Sequence, residues 1–232
     1  MKIALVGYGK MGRIIDEISQ NRNHEIVARL KQTPTIESLN HADVVIEFSN
    51  PEAAFENIKV CLENNIPVIC GTTGWLDKKL EIERIALQKN SAFLYGSNFS
   101  LGVNIFFALN ENLAKLMSNV SGYSCQLEEI HHIHKKDAPS GTAISIAEGI
   151  IENSKYEAWK LDETKDHELG IFAIREDEVP GTHSVFYRSE VDEIEIKHTA
   201  YNRNGFALGA VIAAEWIVGK QGVFSMKDVL GL

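Results

Sequence analysis

The densest run of chemistry-bearing side chains is Glu128-Glu129-Ile130-His131-His132-Ile133-His134-Lys135-Lys136-Asp137-Ala138-Pro139-Ser140-Gly141-Thr142-Ala143. If the strand in its first half carries on to His134, alternation sets His131 and Ile133 on one face, His132 and His134 on the other, and Lys135 in the loop that follows. Pro139 stops the extended segment and Ser140-Gly141-Thr142 opens a helix, so the amides of Gly141 and Thr142 form an anion seat. A carboxylate held there by those amides, the Thr142 hydroxyl and nearby imidazoles gains charge-assisted hydrogen bonds. His131 and Lys135 are the proton-transfer candidates. Histidine titrates near neutrality, and a desolvated lysine near other cations loses proton affinity. Two other chemistries fit less well. His132 and His134 are spaced like metal ligands on a strand, but no cysteine or clear carboxylate stands at a supporting spacing, and no metal is assigned. Ser140 lacks the GxSxG elbow of a hydrolase nucleophile.

A second signal lies at the N-terminus. Gly7-Tyr8-Gly9-Lys10-Met11-Gly12 fits GxGxxG directly after an apolar strand and at the start of a helical pattern, the context a dinucleotide fingerprint requires. Gly7 permits the tight turn, Gly9 lets backbone approach a pyrophosphate, and Gly12 allows close helix packing. The acidic residue expected about 20 positions later for the ribose hydroxyls is replaced by Arg29-Leu30-Lys31. A cationic pair there suits a 2′-phosphate; a solvated strand end is the plainer alternative. Gly71-Thr72-Thr73-Gly74 and Gly96-Ser97-Asn98-Phe99 follow two later strands. Their small residues admit a nicotinamide ring, and their Thr and Asn groups offer hydrogen bonds.

These motifs need elements to carry them. Strands at 2–6, 25–30, 42–48, 67–70 and 93–95 alternate with helices at 12–21, 53–64 and 77–88, the rhythm of a Rossmann-like, doubly wound parallel α/β sheet. In the last helix Leu80, Ile85 and Leu87 are expected to face the sheet. From Ser124 the rhythm changes to strands at 124–131, 170–176, 182–189 and 192–201 with one strong helix, 142–152. Val179-Pro180-Gly181 is read as a turn. That half is an α+β domain on an open mixed sheet. An apolar helix at 207–218 returns to the first domain. The expected division is 1–102 plus 206–232 for the dinucleotide and 103–205 for substrate binding and oligomerisation.

Composition sets the boundaries. At 232 residues and 44% hydrophobic content the chain can bury one large core or two modest ones. A net charge of -9 argues against nucleic acid as a partner. No apolar run approaches the roughly 20 residues that span a bilayer. Three scattered cysteines, Cys61, Cys70 and Cys125, and the lack of a secretory leader point to a reducing cytoplasm.

The stretch from Glu129 to Ala143 resembles the signature of the dihydrodipicolinate reductases, Glu-x-His, three residues, then Lys-x-Asp-x-Pro-Ser-Gly-Thr-Ala. The likeness extends to the first glycine loop, Glu47-Phe48-Ser49-x-Pro51, the Gly71 loop, Asn98-Phe99-Ser100-x-Gly102-Val103-Asn104 and Gly205-Phe206-Ala207. The resemblance implies a reductase using NADPH or NADH on a small cyclic dicarboxylate. It makes His131 the general acid/base, Lys135 a proton donor that also touches substrate, and His132, Gly141 and Thr142 carboxylate-binding groups. Cofactor contacts fall on Gly7, Tyr8, Gly9, Lys10, Met11 and Gly12, on Gly71, Thr72 and Thr73, and on Gly96, Ser97, Asn98 and Phe99, with Arg29 beside the adenosine. It further implies a homotetramer built through the second-domain sheet. A dehydrogenase of another amino-acid precursor shares the nucleotide half but not the Lys135-to-Thr142 spacing. A non-catalytic nucleotide sensor has no need of His131 and Lys135 beside an anion seat. From the Arg29-Lys31 pair we expect kcat/KM with NADPH to equal or exceed that with NADH; a strong NADH preference in steady-state kinetics would defeat this expectation.

Overall fold

A computed structural model describes every residue except Lys165 and Arg203. In chain order the elements are β1 (Lys2–Val6), α1 (Lys10–Asn21), β2 (Glu25–Leu30), β3 (Val44–Glu47), α2 (Pro51–Glu63), β4 (Val68–Cys70), a 3₁₀ turn (Leu76–Lys78), α3 (Lys79–Gln88) and β5 (Ala92–Tyr95). They continue with α4 (Leu101–Met117), β6 (Ser124–His131), α5 (Gly141–Ile151), β7 (Ala158–Leu161), β8 (Glu168–Arg175), β9 (Gly181–Arg188), β10 (Glu193–Ala200), α6 (Asn204–Ile217), β11 (Gly222–Phe224) and α7 (Met226–Leu230). They form two compact units, residues 1–101 with 204–232, and residues 102–203.

The first unit is a six-stranded parallel sheet in the order β11-β5-β4-β3-β1-β2. Its central strands are continuous apolar runs because both faces are covered. Ala4, Val6, Val45, Val68 and Phe93 pack with Ala54, Ile58, Leu62, Ile82 and Ala86 of α2 and α3. Ile3, Leu5, Val44, Ile46, Ile69 and Leu94 pack on Ile15 of α1 and on Ala207, Ala210 and Ala214 of α6. The small residues of α6 let it lie close, and a Cβ at Gly209 would stand 1.8 Å from the Phe99 carbonyl oxygen. Arg22, the C-cap of α1, clamps Glu215 of α6 through two 2.7 Å bonds. The parallel, doubly wound architecture is the one the alternating pattern implied, and the apolar helix near the C-terminus does return to this unit.

The second unit is a mixed five-stranded sheet, β10-β9-β6-β8-β7, with β6 parallel to β8 and antiparallel to β9. Phe106 and Ala114 of α4 and Ala143, Ile146, Ala147 and Ile150 of α5 cover Cys125, Leu127, Leu169, Ile171, Val185 and Tyr187. All three cysteines are free and buried. Burial pushes the thiols of Cys61 and Cys125 up to about 12, which makes them inert packing groups.

Strand β6 covers the 124–131 stretch read from the sequence; residues 132–135 form a turn closed by a 3.0 Å bond from the Lys135 amide to the His132 carbonyl, so the strand does not continue to His134 and the His132/His134 face is not formed. Two expectations are corrected. In α3 the buried residues are Ile82 and Ala86, with Ile85 packed against them, whereas Leu80 and Leu87 are 79% and 60% exposed. The leucine pair seven apart marked the wrong face, whereas Ile85 does pack on the core as expected. The β8–β9 turn centres on Asp177-Glu178, with the Val179 amide bonded to the Glu176 carbonyl, one step ahead of the Val179-Pro180-Gly181 reading. Helix α4, strands β7 and β11 and helix α7 had no counterpart in the sequence reading. We predict that Gly209→Ala lowers the unfolding free energy by about 2 kcal/mol or more through overpacking, measured by urea denaturation; an unchanged midpoint would contradict the α6 docking described.

Candidate active site

In the first unit, strand order reverses between β1 and β3, the switch point at which open α/β sheets bind ligands beyond their carboxyl ends. The loops that meet there are fixed by Phe48. Gly7 turns with φ +94, and a Cβ on it would lie 2.0 Å from the Phe48 carbonyl oxygen. A Cβ on Gly71 would lie 2.2 Å from the Phe48 ring, which also packs against Phe99 at 5.7 Å. Gly12 abuts the Gly7 carbonyl, at 2.3 Å from a would-be Cβ. The Ser49 amide donates to Thr72 Oγ1 at 2.8 Å, and the indole of Trp75 donates to the Thr72 carbonyl at 2.7 Å. Beneath them the fully buried Glu47 accepts from the Ser49 amide at 3.2 Å and from Asn57 at 3.3 Å.

The resulting cleft is lined by Gly9, Lys10, Met11, Phe48, Ser49, Pro51, Gly71, Thr72 and Thr73. Gly9 is the N-cap of α1 and supplies no side-chain cap, and a Cβ there would meet nothing within 4 Å. Open space before uncapped helix amides is what a pyrophosphate needs, so the residues fit a dinucleotide. Sequence reasoning gave Phe48, Ser49 and Pro51 no site role, although their place after β3 at the switch point was the available signal.

Other expected cofactor residues sit differently. The Tyr8 hydroxyl donates to the buried Asp16 at 2.6 Å. The Arg29 guanidinium is bidentate on the same carboxylate, at 2.6 and 3.0 Å. It is therefore not the uncommitted cation that a 2′-phosphate seat requires. Gly96, Ser97, Asn98 and Phe99 follow β5 and are not among the residues lining this cleft. Phe99 is 2% exposed and belongs to the core, and Asn98 accepts from the Ser100 amide at 2.9 Å.

In the second unit, alternation along β6 buries Cys125, Leu127, Glu129 and His131 on one face. Strand register sets His183 of β9 opposite Glu129 and Arg175 of β8 beside His131. Glu129 is fully buried. Both its oxygens accept from the Ser140 amide at 3.1 Å, and Oε1 accepts from Arg175 Nη2 at 3.2 Å. Its Oε2 lies 3.5 Å from His131 Nδ1 and 3.7 Å from His183 Nε2. Burial works to raise the carboxyl, but hydrogen bonds from His183 and Ser140 and the charge interaction with His131 outweigh it and hold it at about 2. Burial is the largest influence on His131, which is lowered to about 4; Glu129 opposes the shift, while His183, Lys135 and Arg175 reinforce it. Glu129 is thus an anion and His131 a neutral ring at physiological pH.

Ser140 caps α5, its hydroxyl accepting from the Ala143 amide at 3.1 Å, so Gly141 and Thr142 begin the helix as expected. Lys135 lies not among cations alone but in an ion pair with Asp137, at 2.7 and 2.8 Å. His132 is half-buried at the strand end, and His134 reaches the exposed Glu178 at 3.5 Å. Glu129, His131 and His183 each bring a ligand-type atom within 4.8 Å of the others. With the Arg175 guanidinium already on that carboxylate, the trio is an ion-pair network rather than a metal centre, because a second cation would be repelled. His183 and Arg175 were missed because cross-strand register is not written in either strand's own pattern. Glu129 was likewise given no site role, although its place two residues before His131 on one strand face was the available signal.

A Rossmann-like parallel sheet with a nucleotide cradle at its switch point, joined to a mixed-sheet unit carrying a charged histidine–lysine cluster, defines a dinucleotide-binding protein with a separate polar centre. The N-terminal family profile "Dihydrodipicolinate reductase, N-terminus" matches residues 1–99, and "Dihydrodipicolinate reductase, C-terminus" matches residues 102–230. The chain belongs to the dihydrodipicolinate reductase family. It is 54% identical to a 4-hydroxy-tetrahydrodipicolinate reductase of Christiangramia forsetii over 99% of this chain and 98% of that one. It is 35% identical to one of Methanocaldococcus jannaschii, covering 98% and 81%. Its fold matches a dipicolinate-bound dihydrodipicolinate reductase from Paenisporosarcina sp. TG-14, with a TM-score of 0.80, 24% identity and 97% of each chain covered.

The two shifted groups fix the acid behaviour. His131 has a folded value of about 4 against an ordinary 6.5. Below pH 6.5 the unfolded chain binds a proton that the native ring refuses, so this contribution is complete above that pH and lost on descent to about 4. Glu129, at about 2 against 4.5, adds a second loss on further acidification, from 4.5 downward. Urea midpoints should therefore fall from pH 6.5 to 4, and His131→Asn should flatten that leg; an unaltered slope in the variant would show that the ring is not held neutral.

Proposed function

We propose that the chain acts as a 4-hydroxy-tetrahydrodipicolinate reductase, converting a cyclic dicarboxylate to tetrahydrodipicolinate in diaminopimelate and lysine biosynthesis. The observation that carries the residue assignment is the end of β6, where a buried, carboxylate-backed His131 stands at the start of a turn holding Lys135 and leading to the helix start at Gly141. When bound, the reduced nicotinamide would supply hydride to C4 of the unsaturated ring that remains once the 4-hydroxyl has left as water. His131 handles the accompanying proton as general acid/base. Lys135, freed from Asp137, pairs with a substrate carboxylate and can also donate a proton. His132, the first-turn amides of Gly141 and Thr142 and the Thr142 hydroxyl hold the carboxylates.

In the first unit, Gly7 to Gly12 and Gly71 to Thr73, with Ser49, cradle the dinucleotide, and the loop from Gly96 to Phe99 contributes chiefly backbone groups. Both NADH and NADPH are accepted. Arg29, already engaged by Asp16, serves the adenosine end as a shared rather than a dedicated cation. The enzyme assembles as a homotetramer through the outward face of the second-unit sheet, where β10 is largely exposed. It works in the cytoplasm; among the described residues no helix is long and apolar enough to cross a membrane.

Activity is read as loss of reduced-cofactor absorbance, with substrate generated in situ from pyruvate and aspartate semialdehyde by the preceding synthase. His131→Ala and Lys135→Ala should each lower kcat by about 10²-fold or more while leaving cofactor affinity nearly unchanged. Near-wild-type turnover in both would refute the assignment.

A further inference from the structure

We propose that Glu129 is the positioning residue for His131: its carboxylate receives the Nδ1 proton of the neutral ring, fixes that tautomer, and leaves Nε2 as the nitrogen that exchanges protons with substrate. The proposal rests on the assignment of His131 as the acid–base group and deepens it.

Geometry supplies the first argument. His131 Nδ1 is buried and makes no hydrogen bond of normal geometry among the described residues. The nearest charge is Glu129 Oε2, 3.5 Å away on the same strand face. An imidazole nitrogen facing a buried carboxylate carries the proton, since two lone pairs would otherwise repel. The contact is long, as catalytic hydrogen bonds often are before substrate tightens them. The other nitrogen is left open by the opposite strand. A Cβ at Gly181 would stand 3.0 Å from His131 Nε2, so any larger residue would cover it.

The second argument is why this position holds an acid and not an amide. The Ser140 N–H contacts both Glu129 oxygens, and Arg175 adds a donor to one of them. Every neighbour on that side is a donor. Glutamine would have to turn its NH₂ either toward Ser140 and Arg175, donor against donor, or toward His131, where it would favour the Nε2–H tautomer. Only a carboxylate accepts on all sides.

Charge is the third. The groups facing this pair are Lys135 and its ion-pair partner Asp137 after the strand, Arg175 on β8, His183 on β9, and His198 of β10, which lies opposite His183. Glu129 is the buried anion among them, and its negative charge opposes the lowering of His131. Without it the ring would be harder to protonate, so less of the acid form would be present at any pH.

The test is long-range ¹H–¹⁵N correlation of imidazole signals in the full-length, ¹⁵N-histidine-labelled protein, with His131 identified by loss of its signal in His131→Asn. Wild type should show His131 as the Nδ1–H tautomer. Glu129→Gln should move it toward Nε2–H, lower kcat by about 10-fold or more with little change in substrate KM, and displace the kcat–pH profile to lower pH. Glu129→Asp, which keeps the charge, should restore part of the rate and the wild-type tautomer. An Nε2–H ring in wild type overturns the proposal without recourse to any variant. So does a Glu129→Gln protein whose tautomer and pH profile superimpose on wild type. Failure of the His131 assignment would instead appear as high turnover in His131→Ala, a result independent of the tautomer.

Discussion

One buried anion organises the second unit. Glu129 has no solvent to stabilise its charge, and an isolated carboxylate in such a place would cost several kcal/mol. The chain supplies the stabilisation from four directions, with the Ser140 amide, the Arg175 guanidinium, and the rings of His131 and His183. Each of those partners comes from a different segment. Meeting their distances simultaneously fixes the register of β6 against β8 and β9 and the place where α5 begins. The geometry of the proposed site and the local fold are therefore the same set of constraints.

The first unit solves a different problem in a different way. A dinucleotide site needs backbone to approach a ligand closely, which requires loops that are rigid without side chains filling the space. Phe48 provides the rigidity from behind: its carbonyl meets Gly7, and its ring fills the room that a side chain on Gly71 would take and touches Phe99. The polar support below is Glu47, which aligns the Ser49 amide beside Thr72. Side chains are thus spent on the inner surface of the loops, so the outer surface can be backbone.

What the sequence disclosed follows the same division. Continuous apolar strands, the glycine fingerprint and the strand alternation of residues 124–131 are local patterns, and each is found in place. The stretch from Glu129 to Ala143 likewise contains both its strand and its capped helix. Illegible were properties that depend on pairing between distant segments. His183 sits in an ordinary strand and becomes part of the cluster only through register; Arg29 looks like an available cation until the fold brings Asp16 beneath it. Lys135 looks like a lysine among cations until the fold sets the Asp137 carboxylate against it. Helix α4 was passed over although Val103, Phe106 and Ala114 mark a buried face, because its exposed Ile105, Leu109 and Leu116 blur the apolar stripe.

The electrostatics of the cluster also bear on how a neutral His131 would serve as an acid in the proposed reaction. Burial depresses the ring first, and the positive charges of Lys135 and Arg175 add to the effect. A dicarboxylate ligand changes both of the latter influences, because it brings negative charge toward the same cations. In the proposed reaction Lys135 would exchange Asp137 for a substrate carboxylate, and the field it casts on the imidazole would be neutralised by an anion closer to the reacting atoms. The ring would then recover proton affinity as a proton is needed, and the permanent anion at Nδ1 would stabilise the imidazolium as it forms, which couples proton uptake to substrate binding. Two histidines, an arginine and a lysine around a single buried carboxylate are the arrangement such coupling requires.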